Sequence, residues 1–318
     1  MPAAPPATAA SPGFVHLHVH SSYSLLEGAL TIARLAELAK KDRQPALALT
    51  DTDNMFGALE FSEKMASAGI QPIVGCALAV DFGDHENRSG TPGEDFSRLV
   101  LLAAREDGYR SLMRLCSRAY LDTAPTERPH LKLDWLEGET SGLIALSGGP
   151  GGPLDAAIGA GQSVLALMRC EHLQRLFGDR LYIELQRHGL AADRIAEPAL
   201  IELAYARGIP LVASNEPFFA TREDYEAHDA LLCIAEGKLI ADGERRQLML
   251  LIGILVLLIG FFALCCGDLV LFVRHILLSL SEVEAIGRLF HESLDRFFEN
   301  YFANFHLVTW VNFPALLM

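Results

Sequence analysis

Three histidines, His16, His18 and His20, stand at alternate positions in FVHLHVHSSYSLLEG, and Glu27 follows them after a hydroxyl-rich turn. On an extended strand, side chains two apart share a face, so the three imidazoles are expected together and can converge on a transition metal. A short HxH pattern is equally compatible with a polar strand lining that holds no ion. In LALTDTDNMFG, Asp51 and Asp53 follow a strand-like run. They read as ligands or a general base, or, the preferred reading, as turn formers that cap the next helix. VASNEPFFAT supplies Asn215 and Glu216, but Glu216 alone makes no site. LSGGPGGPLD has backbone amides that could face a phosphate, yet it lacks GK[ST] and reads as a tight turn. Cys76, Ala77 and Arg98 sit where hard-metal ligands would be useful and supply none.

These residues fall at the ends of strand-like runs: Phe14 to His20, Ala46 to Thr50, Ile73 to Val80, Leu99 to Ala103, Leu143 to Ser147, Leu181 to Leu185 and Leu211 to Ala213. Helical runs lie between them at Thr31 to Lys41, Gly57 to Ala68, Glu106 to Tyr120, Gln162 to Phe177, Asp193 to Arg207 and Arg222 to Glu236. Alternation of this kind predicts parallel strands covered by helices, and seven strands suit a barrel. In such barrels the chemistry gathers at the C-terminal strand ends. The polar stretch Gly83 to Ser97 reads as a surface loop.

The chain has 318 residues and a formal net charge of -14, which speaks against gripping nucleic acid over its whole surface. Its six cysteines show no CxxC spacing, and MPAAPPATAASPG lacks the apolar core of a signal peptide, so a reducing cytoplasm is expected and residues 1–13 read as a disordered leader. Composition changes after Gln247. Residues 248–318 hold 9 of the 17 phenylalanines, and Leu248 to Cys266 is an uncharged run of 19, close to the roughly 20 residues of a bilayer-spanning helix. Residues 248–280 therefore read as a transmembrane-like segment with membrane contact, and Arg245 and Arg246 before it would keep the preceding domain cytoplasmic. Residues 281–318 open on a capping box, Ser281 to Glu284, and repeat apolar residues at helical spacing as an amphipathic helix and tail.

FVHLHVHSSYSLLEG, PALALTDTDNMFGALEF, GIQPIVG, RLVLLA, LYIELQRHG and PLVASNEPFFATREDYEAHDALLCIAEG together resemble the N-terminal PHP (polymerase and histidinol phosphatase) domain of bacterial replicative DNA polymerase III alpha subunits. The resemblance covers residues 14–247 and implies an α/β fold, a distorted (β/α)7 barrel of PHP type, followed here by an apolar, mostly helical tail. Metal-binding members assemble three ions from nine ligands. The resemblance places the HxH pair on His18 and His20, with His16 as an extra, and two acids on Glu27 and Glu216. The other five positions fall on Thr52, Ala77, Arg98, Gly149 and Phe218, which have lost ligand chemistry. The implied residual metal positions are thus His18, His20, Glu27 and Glu216, with no catalytic residue, no expected cofactor and at most a weakly held zinc or manganese ion. Degenerate PHP domains of this kind imply a scaffold for a proofreading exonuclease subunit within the polymerase holoenzyme. DNA would be reached only through palm, fingers and other downstream domains that this sequence does not carry. A fragment of the alpha subunit joined to an unrelated tail is the leading expectation. A metal-dependent PHP phosphoesterase or 3′-5′ exonuclease, and a membrane-tethered non-catalytic PHP module, are the alternatives.

Overall fold

The computed structural model describes residues 14–84 and 96–242. The leader, the segment 85–95 and everything from 243 onward, including the transmembrane-like and amphipathic stretches, lie outside the described residues. No helix among the described residues is long and apolar enough to cross a membrane.

The strands are β1 (Ala46–Leu49), β2 (Gln71–Asp81), β3 (Ser97–Ala103), β4 (Leu131–Lys132), β5 (Leu143–Leu146), β6 (Leu181–Leu185) and β7 (Leu211–Ala213). They form one sheet in the order β1-β2-β3-β5-β6-β7, with β4 paired to β2. The sequence predicts an all-parallel sheet, and β3 departs from it by running antiparallel to both β2 and β5. A polar connection without helical periodicity joins β2 to β3, and antiparallel neighbours need no crossover helix. The short strand β4 was not expected, since two residues carry no readable alternation.

The segment 14–20 bridges the two sheet edges. Toward β1, the Ala48 and Thr50 amides donate to the carbonyls of His16 and Val19. Beyond β7, the Pro217 carbonyl accepts from the His20 amide, and Phe218 accepts from Ala29. This segment is extended but is not a regular strand. The donors Ala48 and Thr50 are two positions apart, whereas the acceptors His16 and Val19 are three apart, which is the signature of a β-bulge. The extra residue changes the parity of side chains across His18: Leu17 packs with the inner cluster, but Val19 packs outward with Leu47 and Leu49. Strict alternation of His16, His18 and His20 is thereby broken.

Seven helices surround the described sheet: α1 (Ile32–Lys41), α2 (Ala58–Ala68), α3 (Glu106–Leu121), α4 (Pro153–Gly159), α5 (Ser163–Phe177), α6 (Ala191–Arg207) and α7 (Tyr225–Glu236). α1 shows how sequence sets an element. Thr31 caps it by accepting the Arg34 amide, Lys40 and Lys41 complement its C-terminal dipole, and Ile32, Leu35 and Ala39 form its buried stripe. α4 follows the GGPGGP turn, where Pro153 begins the helix at a position that has no amide to satisfy. α7 starts at Tyr225 because Arg222–Asp224 form a 3-10 turn ahead of it.

Alternation on β2 separates two packing layers. Cys76, Leu78 and Val80 face outward and pack with Leu99, Leu101, Leu112 and Leu115, while Ala77 faces inward with Ala48, Val100, Leu102 and Leu146. Each buried leucine contributes roughly 1.5–3 kcal/mol, so the outer layer carries most of the stability. The inner layer is small and leaves its mouth to polar side chains. Among the described residues two units are distinguished, residues 14–84, 96–220 and 230–239, and residues 221–229 with 240–242. Within the second, Thr221 and Asp224 cap the 3-10 turn reciprocally.

Candidate metal centre

His18, in the bulge, and His20, after it, both meet Glu216, which arrives from the loop after β7. His18 Nε2 lies 3.5 Å from Glu216 Oε1, and His20 Nε2 lies 3.3 Å from the same oxygen. These three residues are the group among the described residues that could hold a metal ion, with candidate ligand atoms all within 4.8 Å of one another. His16 does not join them. Its ring packs edge-on against Phe14 at 4.9 Å, and burial lowers its pKa. The bulge supplies the reason.

The opposite nitrogen of each imidazole is tied down. Glu184 on β6 is fully buried, and its Oε1 accepts the Nδ1–H of His18 at 2.8 Å. Gln186 donates to the same oxygen at 3.0 Å, Ser214 also donates to it, and the Gly148 amide donates to Oε2 at 3.0 Å. Ser24 donates its hydroxyl to Asp51 Oδ1 at 2.7 Å, so its lone pairs accept the Thr52 amide at 3.1 Å and the Nδ1–H of His20 at 2.9 Å. With Nδ1 of each ring held by these partners, Nε2 of each faces Glu216. Carboxylates behind metal-facing histidines orient the ring in this way and raise its basicity.

Electrostatics agree with the geometry. Burial opposes a charge on His18, but Glu184 and Glu216 outweigh it and raise its pKa to about 9. Burial alone would raise Glu216, yet His18 and His20 draw it down to about 2. Glu184 is lowered despite its burial, chiefly by His18. Without an ion, a proton on His18 balances this corner. An entering metal would have to displace it, which makes affinity depend on pH.

The rest of the basin has different contents. Glu27 is turned away from the three converging atoms: its Oε2 accepts from Thr52 Oγ1 at 2.6 Å and its Oε1 lies 3.5 Å from Arg98 Nη2. Arg98 Nη1 is 3.5 Å from Asp53 Oδ2. Burial raises the pKa of Asp53, with Arg98 opposing. Phe218 stacks on His20 with ring centroids 4.3 Å apart and planes at 7°. Ala77 is wholly buried in the inner layer and bridges Thr52. Gly149 has φ +60, and a Cβ there would come within 2.3 Å of the Gln186 amide nitrogen.

The nine-ligand, three-ion arrangement that the family resemblance implies is not matched in this basin: a methyl, a phenyl ring and a guanidinium stand at Ala77, Phe218 and Arg98, and a Cβ at Gly149 would come within 2.3 Å of Gln186. A single ion fits the His18, His20 and Glu216 corner, because two imidazole nitrogens and one carboxylate oxygen already converge there with their supporting bonds made. Asp51 is a structural acceptor, bonded by the Ser21 amide and hydroxyl as well as by Ser24. Glu184 is the supporting residue that the sequence reading passed over. Its signal was an acid inside the apolar run LYIEL, at the parity that faces inward with Tyr182.

Comparison with known proteins places these observations. The PHP domain family matches residues 16–188. DNA polymerase III subunit alpha of Caulobacter vibrioides is 46% identical over 238 residues, covering 74% of this chain and 20% of that protein. The Treponema pallidum subunit is 43% identical over 236 residues, covering 74% and 20%. The Thermus aquaticus subunit is 38% identical over 236 residues, covering 73% and 19%. The chain thus spans about 20% of the length of these curated relatives. Among solved structures, an amidohydrolase from Chromobacterium violaceum aligns with a TM-score of 0.42 at 17% identity, covering 64% of this chain and 87% of its own. From the bulged HxH segment to the loop after β6, then, the chain belongs to the PHP domain family.

Proposed function

We propose that residues 14–247 act as a non-catalytic PHP module of a replicative DNA polymerase III alpha subunit, a docking scaffold for a proofreading exonuclease subunit in the cytoplasmic holoenzyme. The observation that carries this reading is the content of the basin. Arg98 and Phe218 occupy the positions where the family resemblance calls for metal ligands, next to an intact shell of supporting hydrogen bonds. Hydrolysis needs held ions, open coordination positions and a complete set of oriented ligands. Two-metal nucleotidyl transfer likewise needs paired carboxylates free to hold ions, and the carboxylate pair in the basin, Glu27 and Asp53, is engaged by Arg98. The homology to alpha subunits supports the polymerase context. Calorimetric titration of the protein with the exonuclease subunit of the same source should give a saturable 1:1 complex. Absence of binding at tens of micromolar would remove the scaffold role.

A metal-dependent phosphoesterase is the second reading, favoured by the convergence of His18, His20 and Glu216. It requires that the zinc- or manganese-loaded protein cleave a phosphodiester such as bis(p-nitrophenyl) phosphate and lose that activity in His20→Ala. The tethered alternative rests on the run Leu248 to Cys266. It requires that the full chain depend on detergent while a chain ending at Gln247 does not.

A further inference from the structure

We infer that Arg98 is a tethered cation that takes over the work of the missing ions, clamping the loops 21–28 and 51–57 onto the basin. Its guanidinium leaves the inward side of β3 and reaches one acid on each loop, Glu27 and Asp53, at 3.5 Å in both cases. Each acid is tied in turn to the backbone or to a neighbour. Asp53 accepts the Ala79 amide at 2.9 Å, and Glu27 accepts the Thr52 hydroxyl. Both loops also hold a non-glycine residue in the left-handed region, Leu26 at φ 63 and Asp53 at φ 54. Such backbone persists only where its surroundings over-determine it. Two carboxylates on facing loops would push them apart, and a positive charge between them reverses that force. Arg128 also attracts Asp53, but less than Arg98 does. Metal ions bridge carboxylates from separate loops by the same electrostatics, so a side chain that grows into the basin makes their loss structurally neutral.

The inference rests on the basin being unable to hold three ions, but it is read from differences between variants and not from a metal count or from partner binding. Arg98→Met keeps most of the volume and removes the charge, while Arg98→Lys keeps the charge and removes the fork. In EDTA, Arg98→Met should melt several degrees below the parent, and Arg98→Lys should recover more than half of the loss. In calorimetric titrations, Arg98→Met should bind Mn2+ at least tenfold more tightly than the parent, and saturating Mn2+ should restore its melting temperature. An Arg98→Met protein that melts with the parent, or that gains no Mn2+ affinity, overturns the clamp. Should that variant fail to fold in EDTA, refolding with Mn2+ decides: recovery supports the inference and failure in both conditions overturns it.

Discussion

Two corners of one basin differ in what balances their charge. At the His18, His20 and Glu216 corner the charges are mobile, since a proton or a single ion can satisfy the converging atoms, and Glu184 and the Asp51–Ser24 pair hold the rings ready. At the Glu27 and Asp53 corner the balancing charge is covalently attached, through Arg98. The difference teaches that one polar basin can balance its buried charges in two ways. One half keeps its hydrogen-bonded support because that support also closes the fold, through His20 to the loop after β7 and through Glu184 between β6 and the turn after β5. The other half is organised around a guanidinium.

The largest expected effect breaks the first corner from behind. Glu184→Ala removes a fully buried acceptor from His18, Gln186, Ser214 and the Gly148 amide at once. Removing one member of a buried ionic network costs about 3–5 kcal/mol. Chemical denaturation should show a loss in that range, and a change under about 1 kcal/mol would mean that the network is not load-sharing in the way described.

A smaller effect concerns an acid that neither corner balances. Burial raises the Asp155 pKa from 3.8 to about 8, with Glu184 adding to the shift, and its Oδ2 is buried without a hydrogen-bond partner. The folded protein therefore keeps a proton that the unfolded chain releases near pH 4. This stability is fully present below about pH 4 and is lost as pH rises through about 8. Asp155→Asn, which imitates the neutral acid, should be close to the parent at pH 4 and measurably more stable than the parent at pH 8. Equal differences at the two pH values would contradict the assignment.

The smallest effect separates ring packing from charge. Phe218→Ala removes the face that covers His20 and should cost about 1 kcal/mol, in line with a stacked aromatic pair. It should also increase Zn2+ affinity modestly, by less than Arg98→Met increases that for Mn2+. A larger gain from Phe218→Ala would show that access, and not the tethered charge, limits ion binding.

Much of this was legible in the sequence, for stated reasons. Strands β5, β6 and β7 and helices α1, α2 and α5 follow from local periodicity and caps, which need no knowledge of partners. The antiparallel course of β3 was not legible, because direction depends on how a connection travels rather than on the strand itself. The bulge at His18 was also hidden, since HLHVH alternates without interruption and the extra residue is defined only against β1. That is why His16 looked equivalent to its neighbours and is not. Glu184 was readable as an inward-facing acid, but its partner His18 lies on a segment far away in the chain. Gly149 was not legible either: its φ of +60 is set by the turn and disfavours any side chain there, and a Cβ would come within 2.3 Å of the Gln186 side chain.

The most direct test is the metal-to-protein ratio of the purified chain after equilibration with excess Zn2+ or Mn2+ and removal of free ion, measured by inductively coupled plasma mass spectrometry at pH 7.5. The account predicts no more than one equivalent, abolished by His20→Ala. A ratio near three would contradict it.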